Sequence, residues 1–459
     1  MMRPTPPKIA MALIAALLLM PAPAKATPGY ARQAGLACEA CHTVFPELTP
    51  FGRQFKLNAY TFSNVRQLQD INDKRESTLA LSELAPLSIQ VQASNTTLGH
   101  SIPDQGVAND LSQKNDAQFP QALSLFYTGK IADNFGAFLQ LTWTPNNNSV
   151  GIDNSELRFA DHAAIPAMGV PDFIYGITVN NNPTVQDVWN STPAWGFPFI
   201  ASNVTVPFAK TLIDGGLAQE SAGLGAYIWA WNHFYLEGTA YRSAQTNFTN
   251  GKTGGPGPLD STAANPRISG VAPYWRAAWE QDFDRHSITF GTFGLLADTH
   301  PTGIGEHGPT DRFLDLALDT QYQYIGDVNI FSVLATFIHE KRDFNATVAA
   351  NPSSHLDTAR ITGSYFYDRK YGGSVEFFST TGTTDAVLFA PASVTGSNTG
   401  KPDTQGATIE LDYLPWLNTK IGVQYTAYGK FNGSSTNYDG FGRSAADNNT
   451  LFIFVWAAF

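Results

Sequence analysis

Cysteine is nearly absent from this chain: Cys38 and Cys41 are the two present in 459 residues. A structural zinc site wants four ligands, and no further cysteine exists to help build one. Charge is scarce as well, at 15% of residues where roughly 25% is usual for soluble globular proteins. Long apolar runs are missing beyond the N-terminus, which excludes a helical membrane protein. Positive charge is in deficit: the formal net charge of −11 argues against a nucleic-acid partner, because binding phosphates needs a clustered basic surface. Methionine is equally sparse, and after residue 26 Met168 is the one that remains.

The start of the chain reads as an export signal. Arg3 and Lys8 precede an apolar run from Ile9 to Met20, and Ala24 and Ala26 supply the small residues of a cleavage site. Residues 1–26 are therefore expected to be a signal peptide, with Thr27 opening the mature protein. The apolar run falls far short of the roughly 20 residues a spanning helix needs.

Cys38-Glu39-Ala40-Cys41-His42 has the spacing C-x-x-C-H. Each thiol can add to one vinyl group of haem, while the adjacent histidine reaches the iron, so the pattern predicts one covalent haem c with His42 as proximal ligand. A thioredoxin-like redox pair would need a surrounding βαβ pattern, and none is found. Between residues 27 and 83 there is no methionine, and His42 is the sole histidine. A distal ligand of the usual kind must then come from further along, and Met168 or His162 is the candidate, with an open or water-bound position as the competing reading.

From about Leu84 the sequence alternates polar and apolar residues in short runs, as in Ser88-Ile89-Gln90-Val91-Gln92-Ala93, which is the period of a strand with two unlike faces. Such runs occur at 84–97, 124–131, 135–143, 153–161, 172–180, 224–230, 233–241, 274–281, 287–295, 313–324, 328–338, 360–367, 371–379, 408–413, 420–428 and 449–459. About sixteen strands, with tight turns after each even one and long polar loops after each odd one, predict an all-β fold. It is an antiparallel outer-membrane β-barrel over 84–459, preceded by a c-type haem segment over 27–83. The C-terminal strand ends on Phe459, which looks like the signal of outer-membrane barrel proteins. The connection from His162 to Pro171 falls on the same side as the haem segment, which is why His162 and Met168 are singled out. Between Asn180 and Glu220 a long loop holds Trp189, Trp195, Phe197 and Phe199, and so much apolar area predicts that it folds inward and narrows the lumen. Glu156, Asp187 and Asp315 are read as solvated lumen or loop carboxylates.

Tyr30-Ala31-Arg32-Gln33, Cys38 to His42, and Thr43 to Leu57 (TVFPELTPFGRQFKL) resemble the opening of the outer-membrane monohaem cytochrome-porin fusion family. The segment Asn181-Asn182-Pro183-Thr184-Val185-Gln186-Asp187 is similar to that family too. The resemblance implies extracellular electron uptake, with ferrous iron as substrate in the iron-oxidising members, and carries Cys38, Cys41 and His42 over as haem residues. It does not carry over iron itself, since no iron-binding cluster is evident in the sequence. The expectation is an outer-membrane protein whose haem segment plugs or docks at the lumen. It takes electrons from an extracellular reductant, Fe(II) first, and passes them to a periplasmic c-type cytochrome or other acceptor. The competing readings are a diffusion channel with a haem plug and an electron carrier for another donor. No nucleophile triad, phosphate-binding loop or zinc-protease helix is found.

Overall fold

The computed structural model describes residues 28–43, 45–62, 67–68, 81–82, 85–102, 113–144, 149–166, 170–244, 247–248, 266–301, 308–416 and 418–459. The expected signal peptide, residues 1–26, lies outside them, as does Met168.

Alternation produces sixteen long antiparallel strands: β1 Leu87–Ile102, β2 Gln113–Ala132, β3 Phe135–Thr144, β4 Glu156–Ile165, β5 Val170–Asn180, β6 Ser221–Ala230, β7 Phe234–Ser243 and β8 Ala272–Phe283 form the first half. The second half is β9 His286–His300, β10 Asp311–Ile325, β11 Asn329–Asp343, β12 Ser353–Tyr367, β13 Tyr371–Gly382, β14 Thr404–Trp416, β15 Thr419–Lys430 and β16 Thr450–Ala458. Each pairs with its neighbour, and β16 returns to β1 with Trp456 opposite Gln92, so the sheet closes into a barrel without edges. Short strands at Ser149–Ile152, Asn247–Phe248 and Arg267–Ile268 extend the wall at the long-loop end. Two further residue pairs, Gln67–Leu68 and Leu81–Ser82, form a small separate sheet before β1.

The tight turns follow even-numbered strands, as the sequence predicts, and several strands run longer than their clearest alternation. The connection expected at 162–171 shrinks to 166–169 because β4 continues to Ile165 and β5 starts at Val170. Asn134, Asp284 and Asp368 take positive φ in these turns, a conformation their short polar side chains tolerate.

The two faces of the wall differ as a membrane requires. Leu224, Leu236, Leu318, Phe377 and Leu411 point outward and are each more than half exposed. Their neighbours Glu237, Thr239, Asp319, Glu376 and Glu410 point inward and are buried. An apolar girdle of this size is unfavourable against water and favourable against lipid, while the polar interior matches a barrel lumen. No helix among the described residues is long and apolar enough to cross a membrane.

Two segments fill the lumen. The N-terminal plug has three short helices, α1 Pro28–Ala34, α2 Cys38–Cys41 and α3 Pro50–Leu57, at the tight-turn end. Thr49 starts α3 by accepting from the Gly52 N–H, with Pro50 in the first turn, where no intrahelical donor is needed. α3 then buries two cations. Arg53 pairs with Glu280 of β8 at 2.9 Å and donates to Ser287 of β9 and Gln323 of β10. Lys56 donates to the Val185 and Asp187 carbonyls and to Asn190 Oδ1.

Those last partners belong to the long loop, residues 181–220, which folds inward as expected. Val185, Val188 and Trp189 are buried within it. Asp187 holds it together, accepting from the backbone of Trp189, Ser191 and Thr192 and pairing with Arg276 of β8 at 3.2 Å. Arg276 in turn makes a two-point contact with Asp319 of β10. The reading of Glu156, Asp187 and Asp315 as solvated carboxylates is corrected by this packing. All three are fully buried: Glu156 bonds Arg158, Tyr60 and Thr178, and Asp315 accepts from the Ile213 N–H beside Glu340.

Removing one partner of such a buried pair strands the other, at a cost of about 3–5 kcal/mol. Arg53→Met is therefore expected to loosen the plug while the barrel stays folded, seen as protease cleavage within residues 28–62 of the membrane-embedded protein. Arg53→Met combined with Glu280→Leu should be cleaved less. Equal protection of the single variant and the parent would show that this pair does not hold the plug.

Candidate cofactor site

The four-residue helix α2 sets Cys38 and Cys41 one turn apart, and His42 leaves it in extended conformation with its N–H still bonded to the Cys38 carbonyl at 2.8 Å. The first turn of α3 packs directly on α2. Thr49 donates its hydroxyl to the Ala40 carbonyl at 2.6 Å and its N–H to the Cys41 carbonyl at 2.9 Å. A Cβ at Gly52 would stand 2.2 Å from the Cys41 carbonyl oxygen, so the glycine in Pro50-Phe51-Gly52-Arg53 is what allows this approach.

Burial and one hydrogen bond set the state of His42. Burial pushes its imidazole down to about 4, against the raising effect of the Glu47 and Pro46 carbonyls, so the ring is neutral near pH 7. Nδ1 lies 3.2 Å from the Glu47 carbonyl oxygen. A neutral ring that donates from Nδ1 carries its lone pair on Nε2, the form in which histidine binds a metal. Burial also raises the Cys41 thiol to about 11.

Cys38, Cys41 and His42 all line one cavity of about 760 Å³. Its apolar side comes from the plug and the long loop, with Phe45, Phe55, Trp195 and Phe199; its polar side comes from β1 to β3, with Gln90, Gln92, Gln121 and Gln140. Enclosed sites for cofactor-sized molecules span roughly 300–1,000 Å³ and combine a mostly apolar lining with a few polar groups, so size and composition both fit. Gln90 Nε2 and Gln121 Oε1 are buried in this structure without hydrogen-bond partners, as in a wall whose polar groups are completed by a bound molecule.

The distal candidates fare differently. His162 sits at the rim near the tight turns, half exposed. Its Nε2 is 2.6 Å from Asn58 Oδ1 and its Nδ1 3.2 Å from Asp172, and it does not line the cavity. In this structure His162 meets Asn58 of the plug with Nε2 and Asp172 of β5 with Nδ1, away from the cavity. Met168 lies outside the described residues. Among the described lining residues there is no methionine and no histidine besides His42.

Sequence reasoning passed over Arg53 and Lys56 as site builders. Their signal was available in Arg53-Gln54-Phe55-Lys56-Leu57, where cations share a short helix with core-type residues. The glutamines of the wall gave no such signal, since alternating Gln on a strand reads as any polar lumen.

A closed sixteen-stranded barrel with an apolar exterior and a filled polar lumen is an outer-membrane β-barrel of porin type. Neither a protein-family model nor a curated protein sequence matches the chain. Similar solved structures include the loop-deleted outer-membrane protein OmpTΔL8 of Vibrio cholerae, at 9% identity and TM-score 0.42, covering 81% of this chain and 98% of that one. Another is the outer-membrane channel DcaP of Acinetobacter baumannii, at 14% identity and TM-score 0.44, covering 81% and 96%. A third is OmpF of Salmonella typhi in complex with daunomycin, at 11% identity and TM-score 0.41, covering 81% and 97%. The class itself rests on closure, strand number and the apolar girdle.

The plug carries its own pH dependence. Burial raises the Glu47 carboxyl from its ordinary 4.5 to about 7, against bonds from Ser332, Gln323 and Thr43. A raised carboxyl contributes its full stabilisation below about 4.5 and loses it as pH rises through 7. At about 1.4 kcal/mol per pH unit the loss is on the order of 3 kcal/mol. Before any cofactor is attached, Glu47→Gln is expected to slow hydrogen exchange of the plug at pH 8 and to change it little at pH 5. The same rate in variant and parent at pH 8 would count against a buried, ionising Glu47.

Proposed function

We propose that this protein is an outer-membrane c-type cytochrome-porin fusion. It takes electrons from an extracellular donor, Fe(II) foremost, and delivers them to a periplasmic carrier such as a c-type cytochrome. The observation that carries the reading is the placement of Cys38, Cys41 and a neutral, oriented His42 on one cavity inside the barrel. A haem c bound there would supply one-electron exchange, with the porphyrin doing the chemistry and the protein fixing its position and potential. The resemblance of residues 30–57 to the monohaem cytochrome-porin family supports the same reading.

The chain's residues have definite tasks in it. Cys38 and Cys41 tether, His42 ligates, and the Glu47 carbonyl orients His42. Gly52 and Thr49 keep α2 against α3. Phe45, Phe55, Trp195 and Phe199 give an apolar surround that keeps water from the ring faces. Arg53, Lys56 and Asp187 join plug, loop and wall into one body across the lumen. A filled lumen favours electron transfer across the barrel over diffusion of solutes through it, because an iron donor can stay outside while its electron crosses.

Two measurements test the reading. Protein matured in a host that attaches c-type haem should carry one haem that survives denaturation, and anaerobic Fe(II) should convert its oxidised spectrum to the reduced one. Reduction by dithionite but not by Fe(II) would point to another donor, and absence of attached haem would end the cytochrome reading. In planar bilayers the parent should conduct far less than the plug-loosened Arg53→Met variant. A parent that conducts as well as the variant would make the protein a diffusion channel.

A further inference from the structure

We propose that the amide wall of β1 and β2, centred on Gln90 with Gln121 beside it, seats the carboxyl substituents of the group tethered at Cys38 and Cys41, the propionates of haem. The inference rests on the cofactor reading above. Gln90 lies opposite Ser124 in the ladder and Gln92 opposite Ala122, so Gln121 stands three residues along β2 from the partner of Gln90, and both line the same cavity. Most polar groups around them are mutually satisfied. Ser124 and Thr142 share a 2.9 Å hydrogen bond, and Gln140 donates to Thr142 and Asp153 at 3.0 Å. Gln121 Nε2 donates to the Ala201 carbonyl of the long loop at 3.1 Å. Gln90 Nε2, Gln121 Oε1 and the Thr128 hydroxyl remain buried with no partner.

A donor and an acceptor left together in a cavity wall complement a carboxyl group, which accepts when ionised and also donates when protonated. The carboxyls of a c-type haem lie on the edge away from the thioether links. The competing cation is already used: Lys56, the single basic side chain among the described residues lining the cavity apart from His42, has three acceptors, Val185 O, Asp187 O and Asn190 Oδ1. The other ionisable groups facing the cavity are Tyr30, Tyr60 and Asp153, which bond Ala137 O, Glu156 and the Gln140–Thr142 pair respectively. None of them leaves a spare donor for a carboxyl.

The test is the pH dependence of the haem midpoint potential in full-length matured protein, read by spectroelectrochemistry in the parent, Gln90→Leu and Gln90→Glu. Loss of a hydrogen bond to the ionised carboxyl should move the carboxyl-linked inflection up by about one pH unit in Gln90→Leu. The isosteric Gln90→Glu, which keeps the volume and polarity of the wall, should move it further. Attached haem per barrel should be unchanged in both. Curves that superimpose on the parent, with haem attached, overturn the seat and leave the cofactor reading intact. A parent without covalent haem overturns the cofactor reading, and the seat with it. Should Gln90→Leu fail to fold, Gln90→Glu alone decides.

Discussion

Two cations on one short helix cannot be buried unless something meets them, and the interior of this protein is organised around meeting Arg53 and Lys56. Arg53 is answered from the barrel wall by Glu280, Ser287 and Gln323. Lys56 is answered from the long loop by two carbonyls and Asn190. The loop is in turn pinned to the wall through Asp187 and Arg276. Charges removed from water demand close partners, and these pairs act together with an apolar cluster in which Leu57 of the plug, Val188 and Trp189 of the loop and Trp229 and Tyr235 of the wall meet. The cavity is the space these three pieces leave between them.

This arrangement accounts for the chemistry of the site. α2 has only four residues and could not hold a large group in place by itself. It is held because Thr49 and Gly52 bring α3 against it and α3 is anchored to the barrel by its two cations. Position is thus transmitted from the rigid β-sheet through Arg53 and α3 to Cys41 and His42. The wall also supplies what the plug lacks, a set of neutral amides opposite an apolar surround.

Among the described residues the plug and the inward-folded loop occupy much of the lumen, and the two faces of the wall meet different surroundings. The girdle of Leu224, Leu318, Phe377 and Leu411 faces lipid, and the tight-turn end presents the segment around Gly35 to Glu39, where Leu36 is exposed beside the cavity.

Strand number, parity and turn asymmetry were legible in the sequence because alternation and turn chemistry are local: each residue declares its face to its immediate neighbours. The C-x-x-C-H spacing was legible for the same reason, as was the inward fold of a loop too apolar to stay in water. The tight-turn end was likewise the right place to look for contacts with the plug, and His162 does touch it through Asn58. What lines the cavity was not legible. Arg53 meets Glu280 and Lys56 meets Val185 across more than a hundred residues of chain, Gln90 reads like any other lumen glutamine, and the burial of Glu156, Asp187 and Asp315 depends on arginines and loops that arrive from elsewhere. The sequence by itself determined the barrel and the C-x-x-C-H spacing, because both are written in short-range pattern. Only the tertiary structure decided which side chains surround the motif, because that follows from ion pairs and hydrogen bonds closed between distant segments.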